Sequence, residues 1–129
     1  MDMVYIVIAL ALLQFFVFGG LVGRARVKFS IDAPAVTGDP MFERYHRVHY
    51  NTMEQLVVFI PGMLLYGEYV SSLAAAGLGL VFIVGRVIYF RAYLADPSSR
   101  GPGFGLTMLP TFILLLGGLG GAIWSVATT

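Results

Sequence analysis

A stripe of polar side chains on one predicted helix is the first feature of this sequence that could do chemistry. Within residues 42–59, FERYHRVHYNTMEQLVVF, the side chains of Glu43, Arg47, Asn51 and Glu54 recur at helical intervals. At about 100° per residue, all four fall on one face of a helix. A face that carries a cation, an amide and carboxylates could bind a polar ligand with groups of both charges.

A second cluster lies further along the chain. Arg86, Phe90 and Tyr93 share a helical face, Tyr89 lies beside it, and Arg100 follows in a segment rich in proline, serine and glycine. Either tyrosine alone is more typical of the aromatic belt at a membrane boundary than of a binding site. Next to Arg86, both tyrosines become candidate hydrogen-bond donors to a bound molecule.

The composition indicates the solvent around these clusters. Hydrophobic residues make up 58% of the 129 residues and charged residues only 12%, which is typical of a membrane protein rather than a soluble domain. The length suits one domain over residues 1–129, and no basic tail suggests nucleic acid. There is no cysteine, so any thiol chemistry must use the thiol of a substrate.

Apolar stretches predict four transmembrane helices in an all-α, up-down bundle. The predicted spans cover residues 3–26, 42–67, 73–95 and 104–126. Proline and glycine place loops at 29–40 and 95–103, and residues 68–72 form a short turn. The first apolar stretch follows an acidic residue and precedes basic ones, the reverse of a signal peptide, so we expect it to be retained.

Every basic residue lies on one side of this topology, which predicts the orientation of the bundle. By the positive-inside rule, the two longer loops face the cytoplasm and both termini face the opposite side of a bacterial inner membrane or a eukaryotic endomembrane. The basic residues are Arg24, Arg26, Lys28, Arg44, Arg47, Arg86, Arg91 and Arg100. Glu43 and Arg44 suit the headgroup region, whereas Asn51 and Glu54 lie deeper, where polar groups usually face a bundle interior or a functional cavity.

The two clusters together resemble the signature of the MAPEG family, the membrane-associated proteins in eicosanoid and glutathione metabolism. The pattern Glu-x-x-x-Arg-x-x-x-Asn-x-x-Glu from Glu43 to Glu54 is similar to the second-helix motif of that family. The resemblance covers most of the chain and includes the order of the helices and the loop lengths. It extends to the third-helix arginine and tyrosines, the catalytic arginine and the basic residue that ends the first helix, here Arg86, Tyr89, Tyr93, Arg100 and Arg26.

This resemblance implies a homotrimer of four-helix subunits, with glutathione bound in each intersubunit cleft at the cytoplasmic face. Glutathione carries carboxylates, an ammonium group and a thiol, so its site needs cations, a carboxylate and neutral donors. The implied glutathione-binding residues are Arg26, Arg47, His49, Asn51, Glu54, Arg86, Tyr89 and Tyr93. Arg100 is implied as the catalytic residue, because a fixed cation favours a thiolate over a thiol. His49 and Arg26 would reach the glutathione of the neighbouring subunit.

Two residues depart from the leukotriene-synthase branch of the family. Gln55 stands where that branch has a tyrosine, and Val27 stands where it has a second arginine. Both differences weaken a prediction of leukotriene-synthase chemistry. The prolines, serines and glycines around Arg100 also make its loop unusual.

Three functional hypotheses follow from the sequence. The first is an enzyme that transfers glutathione to hydrophobic electrophiles, or reduces lipid hydroperoxides, with the same thiolate. The second is a non-catalytic lipid-binding or accessory membrane protein on the same scaffold. The third is a metal site at Glu43-x-x-His46, but helical di-iron bundles use two such pairs and this sequence has one, so we expect no metal. The choice of electrophile depends on the lipid-facing walls of the cleft, which consist of Leu, Val, Ile and Phe residues that indicate no particular substrate.

Overall fold

The chain forms four long helices, and the computed structural model describes all residues 1–129. Helices α1, α2, α3 and α4 cover Asp2–Phe29, Pro40–Tyr69, Ser72–Ala95 and Gly101–Ala127, and a single 3₁₀ turn covers Pro97–Ser99. No strand is present. The predicted all-α, four-helix fold is confirmed.

The connection between α3 and α4 differs from the predicted loop at 95–103. Asp96 accepts a hydrogen bond from the Ser98 backbone N–H at 3.0 Å and closes the 3₁₀ turn. Helix α4 then begins at Gly101, with Pro102 in its first turn, where a helix needs no backbone N–H from that residue. Arg100 is therefore the N-cap residue of α4 and not the middle of a loop.

Capping side chains fix the starts of α2 and α3. Asp39 accepts hydrogen bonds from two backbone N–H groups at the start of α2, and the Ser71 hydroxyl accepts one at the start of α3. Both residues are favoured caps because they satisfy donors that the first turn leaves free. Helix α2 continues to Tyr69, so the turn predicted at 68–72 contains only residues 70–71.

Three helical segments are long and apolar enough to cross a membrane, namely Asp2–Phe29, Ser72–Ala95 and Pro97–Ala127. Helix α2 is not among them, since its first half carries the polar stripe. These apolar helices identify an integral membrane protein.

The bundle places α1 and α4 at opposite corners, each packed against α2 and α3. Its largest apolar cluster joins all four helices, and there Phe59 stacks on Phe82 with 3.8 Å between ring centroids. Nearer the end that carries loop 30–39 and the 3₁₀ turn, Phe18 stacks on Phe90 at 4.9 Å. We call this end of the bundle the loop face. Stacked aromatic rings therefore pack α1 against α3 at the loop face.

Candidate functional site

An open groove of about 640 Å³ lies between three helices at the loop face. Its volume is in the usual range for small-molecule sites. It brings together five of the predicted site residues. The lining consists of Arg47 and Asn51 from α2, Tyr89 and Tyr93 from α3, Ser98 from the 3₁₀ turn, and Arg100, Gly101 and Phe104 around the start of α4.

The groove is cationic and rich in hydrogen-bond donors. Arg47 and Arg100 are both exposed and supply two guanidinium groups. The rings of Tyr89 and Tyr93 lie together, with 5.6 Å between their centroids, and their hydroxyl groups have no partner within the chain. No acidic side chain lines the groove. This arrangement suits a ligand that presents carboxylate or other acceptor oxygens.

Arg100 lies at the mouth of the groove. Its Nη1 donates to the Pro97 carbonyl at 2.9 Å, and the rest of its guanidinium is free to meet a ligand. The positive end of the α4 dipole lies at the same place, because Arg100 is the N-cap of that helix. Both features favour a negative charge on a bound group here.

The turn that carries Arg100 is held by a small network of polar side chains. The Asp96 carboxylate accepts from both the hydroxyl and the backbone N–H of Ser98, and these bonds hold the pKa of Asp96 below its usual value. The Ser99 hydroxyl donates to a carbonyl in the last turn of α3. Arg44 Nη1 donates to the Leu94 carbonyl at 2.8 Å and ties α2 to the same turn.

Arg86 lies behind the wall of the groove and is fully buried. Its Nη2 donates to Asn51 Oδ1 at 3.0 Å and to Thr52 Oγ1 at 2.9 Å, and its Nη1 donates to Thr107 Oγ1 at 3.4 Å. Its guanidinium carbon is 4.3 Å from the centroid of the Tyr89 ring. Arg86 therefore contacts two lining residues, whereas its own side chain is not part of the lining.

This buried arginine orients its neighbours. Because Asn51 Oδ1 accepts from Arg86, the amide NH₂ is the group that Asn51 has left for a ligand. The hydroxyl groups of Thr52 and Thr107 donate to carbonyls in their own helices at 2.7 and 3.0 Å. Their oxygen lone pairs are therefore available to Arg86, whose Nε remains without a partner.

Residues that the sequence analysis did not select complete this site. Thr52 and Thr107 bind Arg86, and Ser98 and Phe104 line the groove. Thr107 lies seven residues after Arg100, hence on the same face of α4. That spacing is the one sequence signal that could have identified it.

Besides Arg86, three of the predicted glutathione-binding residues are absent from the lining of the groove in a single chain. Glu54 is exposed on α2. Arg26 Nη1 donates to the Ala35 carbonyl at 2.7 Å in the first loop, and His49 stacks on Phe15 of α1 with 4.5 Å between ring centroids. One copy of the chain does not bring these side chains to Arg100. No three acidic or histidine side chains converge on a possible metal position.

Comparisons with known proteins identify the family of the chain. The MAPEG family matches residues 3–120. An uncharacterized protein of Synechocystis sp. is 40% identical over 121 residues, which are 94% of this chain and 88% of that protein. Microsomal glutathione S-transferase 2 of Homo sapiens is 41% identical over 100 residues, 77% of this chain and 68% of that protein. Leukotriene C4 synthase of Bos taurus is 34% identical over 76 residues, 59% of this chain and 51% of that protein. The chain belongs to the MAPEG family, as its polar clusters predicted.

Proposed function

We propose that this protein is a membrane-bound, glutathione-dependent enzyme. The enzyme binds glutathione in the groove and stabilises the glutathione thiolate with Arg100. It then transfers glutathione to hydrophobic electrophiles, or uses the thiolate to reduce lipid hydroperoxides. One observation carries the proposal. Arg47, Asn51, Tyr89, Tyr93 and Arg100 converge in a single groove of a chain whose relatives include microsomal glutathione S-transferases.

The groove offers partners for most of the polar groups of glutathione. Arg47 and the Asn51 amide suit a carboxylate, and the tyrosine hydroxyls suit further acceptor oxygens. Arg86 acts on the ligand by holding Asn51 and Tyr89 in place. The ammonium group needs a carboxylate, and Glu54 lies three residues from Asn51, about 4.5 Å along the helix axis.

The remaining predicted residues fit a site shared between copies. In the proposed homotrimer, Arg26 and His49 act on the glutathione of the neighbouring subunit, at the edge of the groove that a single chain leaves open. Assembly would also cover Glu54, an exposed carboxylate on a membrane helix that is costly to leave against lipid. By the positive-inside rule, the basic residues support a cytoplasmic position for the loop face, where glutathione would enter.

The proposed chemistry requires only an activated sulfur. A free cysteine thiol has a pKa of about 8.5, and a fixed guanidinium lowers it by favouring the thiolate. In conjugation, a sulfur lone pair forms a bond to the electrophilic carbon as the leaving group departs with its electron pair. In peroxide reduction, sulfur attacks the terminal peroxide oxygen and the O–O bond breaks. The alkoxide takes up a proton, and a second glutathione converts the sulfenic acid to the disulfide and water.

A hydrophobic substrate has a path to this sulfur from the bilayer. An apolar cleft of about 100 Å³ lies between α2 and α4, with Val58, Met108 and Phe112 among its lining residues. On α2, Asn51 of the groove lies one helical turn before Gln55 of the cleft. On α4, Phe104 of the groove lies one helical turn before Met108 of the cleft. The cleft therefore continues the polar groove toward the lipid.

The test measures glutathione activation directly. Purified protein in detergent receives millimolar glutathione near neutral pH, and the ultraviolet absorbance of the thiolate is recorded with turnover of a general electrophile and a hydroperoxide. We expect Arg100→Ala to lose the thiolate signal and to reduce turnover about 100-fold or more, the usual effect of losing a charge-stabilising group. Arg100→Lys keeps the cation, so it should retain part of both.

Two outcomes would overturn the proposal at different levels. If Arg100→Ala keeps the thiolate signal and turnover, Arg100 is not the catalytic residue. If the wild-type protein does not bind glutathione at millimolar concentration, the enzyme proposal itself fails. The alternative would then be a non-catalytic lipid-binding or accessory membrane protein on the same scaffold.

A further inference from the structure

The seam between α1 and α3 carries features that the proposed chemistry does not use. An apolar groove of about 420 Å³ follows this seam. Its walls are α1 side chains between Leu10 and Phe18 and α3 side chains between Leu80 and Val87. A hydrogen bond from Gln14 Nε2 to the Ile83 carbonyl, at 3.0 Å, ties the two helices beneath it.

On α1, the apolar side of the groove continues into basic residues at the loop face. Leu10, Val17, Arg24 and Lys28 lie within about 40° of one another around the helix. Arg24 and Lys28 line a second cleft of about 120 Å³, which also contains Tyr45. The groove and this cleft therefore lie one above the other along the same face of α1.

On α3, a basic residue also follows the apolar lining of the groove toward the loop face. Arg91 follows Val87 by one helical turn and is exposed. The stacking of Phe90 on Phe18 fixes the register of the two helices. Arg24 comes six residues after Phe18, whereas Arg91 comes one residue after Phe90. At about 1.5 Å per residue, Arg91 therefore lies about 8 Å farther from the loop face than Arg24. Three cations thus lie near the loop-face end of one apolar groove.

None of these three cations donates a hydrogen bond within the chain, and the one aromatic contact among them is that of Lys28 Nζ, 5.4 Å from the centroid of the Phe29 ring. Four other arginines donate to protein oxygens, namely Arg26, Arg44, Arg86 and Arg100. Arg24, Lys28 and Arg91 are exposed and donate to none. No acidic side chain lines either cleft. Basic pockets at this depth of a membrane attract phosphate-bearing headgroups.

We propose that the α1–α3 seam binds an anionic phospholipid. One acyl chain occupies the apolar groove, and the headgroup phosphate lies between Arg24, Lys28 and Arg91. The charge on the seam favours this occupant over a second copy of the chain, because a copy in the same membrane orientation would bring its own cations to the same level. The site is separate from the glutathione groove, so its test does not depend on enzymatic activity.

Native mass spectrometry of the full chain can test headgroup recognition. Detergent-solubilised protein receives equal amounts of palmitoyl-oleoyl phosphatidylglycerol and palmitoyl-oleoyl phosphatidylcholine. We expect phosphatidylglycerol adducts to dominate for the wild type. The double variant Arg24→Gln/Lys28→Gln should lose these adducts roughly 10-fold or more. Arg47→Gln/Arg100→Gln removes the same charge from the other groove and should retain them.

A second pair of variants tests the acyl-chain groove. Val17→Trp and Leu80→Trp fill it, and because these side chains are 51% and 49% exposed, we expect both variants to fold. Each should lose the phosphatidylglycerol adducts. Leu119→Trp, at a 53% exposed position of α4, is the matched control and should keep them.

Three results would overturn the proposal. The first is equal retention of the two lipids by the wild type. The second is an equal loss of adducts in the two charge-matched double variants, which would indicate a general effect of surface charge. The third is a disulfide between copies of a Val17→Cys variant of this cysteine-free chain, which would identify a second copy as the occupant.

Discussion

Arg86 holds a positive charge in the core of the bundle with no carboxylate among its hydrogen-bond partners. Burying a charge is costly unless polar groups surround it. Two threonine hydroxyls, one amide oxygen and the face of Tyr89 provide that environment. Each partner that is removed leaves part of the charge without compensation, so these neighbours should matter more than ordinary buried polar residues.

Thr52→Val removes the acceptor that lies 2.9 Å from Arg86 Nη2. We expect it to destabilise the fold by about 1–3 kcal/mol, since hydrogen bonds to charged groups are the stronger ones. Thr111→Val is the matched control, because Thr111 is also buried and also donates to the carbonyl four residues earlier, but does not contact Arg86. Thermal unfolding in detergent compares the two. Equal losses of stability would contradict a special role for Arg86.

Residue spacing predicted part of this site and could not predict the rest. It assigned Arg47 and Asn51 to one helical face, and both line the groove. Spacing gives direction around a helix but not depth within a bundle, so it did not separate exposed Arg47 from fully buried Arg86. It also could not select Thr52, because a threonine becomes functional here only through the cation that it contacts.

Between the helices, a glycine sets the distance between α3 and α4 beside the groove. A Cβ atom placed on Gly103 would lie 2.4 Å from the Tyr89 backbone nitrogen, closer than packed atoms can approach. The two helices must therefore separate if this position carries a side chain. Both Tyr89 and the start of α4 line the groove, so such a shift would change its shape.

Gly103→Ala should reduce turnover by about 10-fold or more, since small displacements of catalytic groups are costly. It should also lower the melting temperature. Gly105→Ala is the control, because nothing lies within 4 Å of the added Cβ, and alanine favours a helix by up to about 1 kcal/mol over glycine. We expect that variant to retain activity and to be as stable as the wild type or more so. Equal turnover and equal melting temperatures of the two variants would contradict the role of Gly103 in setting the distance to Tyr89.

The turn between α3 and α4 should respond to acid. The pKa of Asp96 lies below its usual value of 3.8, chiefly because the Ser98 hydroxyl and then the Ser98 N–H donate to the carboxylate. A group whose pKa is lower in the folded state stabilises that state above its unfolded pKa, and this contribution is lost as pH falls through the folded pKa.

Asp96→Asn should therefore lower the melting temperature near neutral pH. The difference from the wild type should shrink at a pH well below 3.8, where both side chains are uncharged. Melting curves of both proteins across this range make the measurement. A difference that stays constant with pH would show that the charge of Asp96 does not stabilise the turn.

The helices themselves were predictable, and their ends were less so. Long uncharged stretches such as residues 3–22 leave a membrane helix as the only stable solution, and the four predicted helices are all present. The proline-rich segment before residue 104 was predicted as a loop. Its prolines lie at first-turn positions, which helices tolerate, so the chain is helical there and Arg100 caps α4.

At the scale of the whole molecule, a single chain does not bring all of the predicted glutathione-binding residues into one groove. The groove contains no acidic residue, Glu54 is exposed on α2, and His49 packs against α1 away from Arg100. Nothing in one chain's sequence specifies what a second copy contributes, because interface residues follow the same helical patterns as lipid-facing ones. The proposed homotrimer resolves this by sharing each site between neighbouring copies.

Subunit mixing tests that proposal. His49→Phe keeps an aromatic ring against Phe15 but cannot hydrogen-bond to a ligand, and Arg100→Ala removes the cation to which we assign the catalytic role. We expect each variant alone to lose turnover. If His49 serves the neighbouring site, a trimer that contains both variants has one site in which both residues are wild type. Random assembly of equal amounts should then restore about a quarter of wild-type turnover, by the symmetry of a closed ring.

The control is the double variant His49→Phe/Arg100→Ala expressed alone, since no assembly of that chain contains an intact site. Wild-type turnover by His49→Phe alone would remove His49 from the site. Two inactive variants that stay inactive after coexpression, while chemical cross-linking shows that they assemble together, would place His49 and Arg100 in the same subunit's site. Recovery in the mixture requires that the two residues act across a boundary between copies, which is the arrangement that we propose.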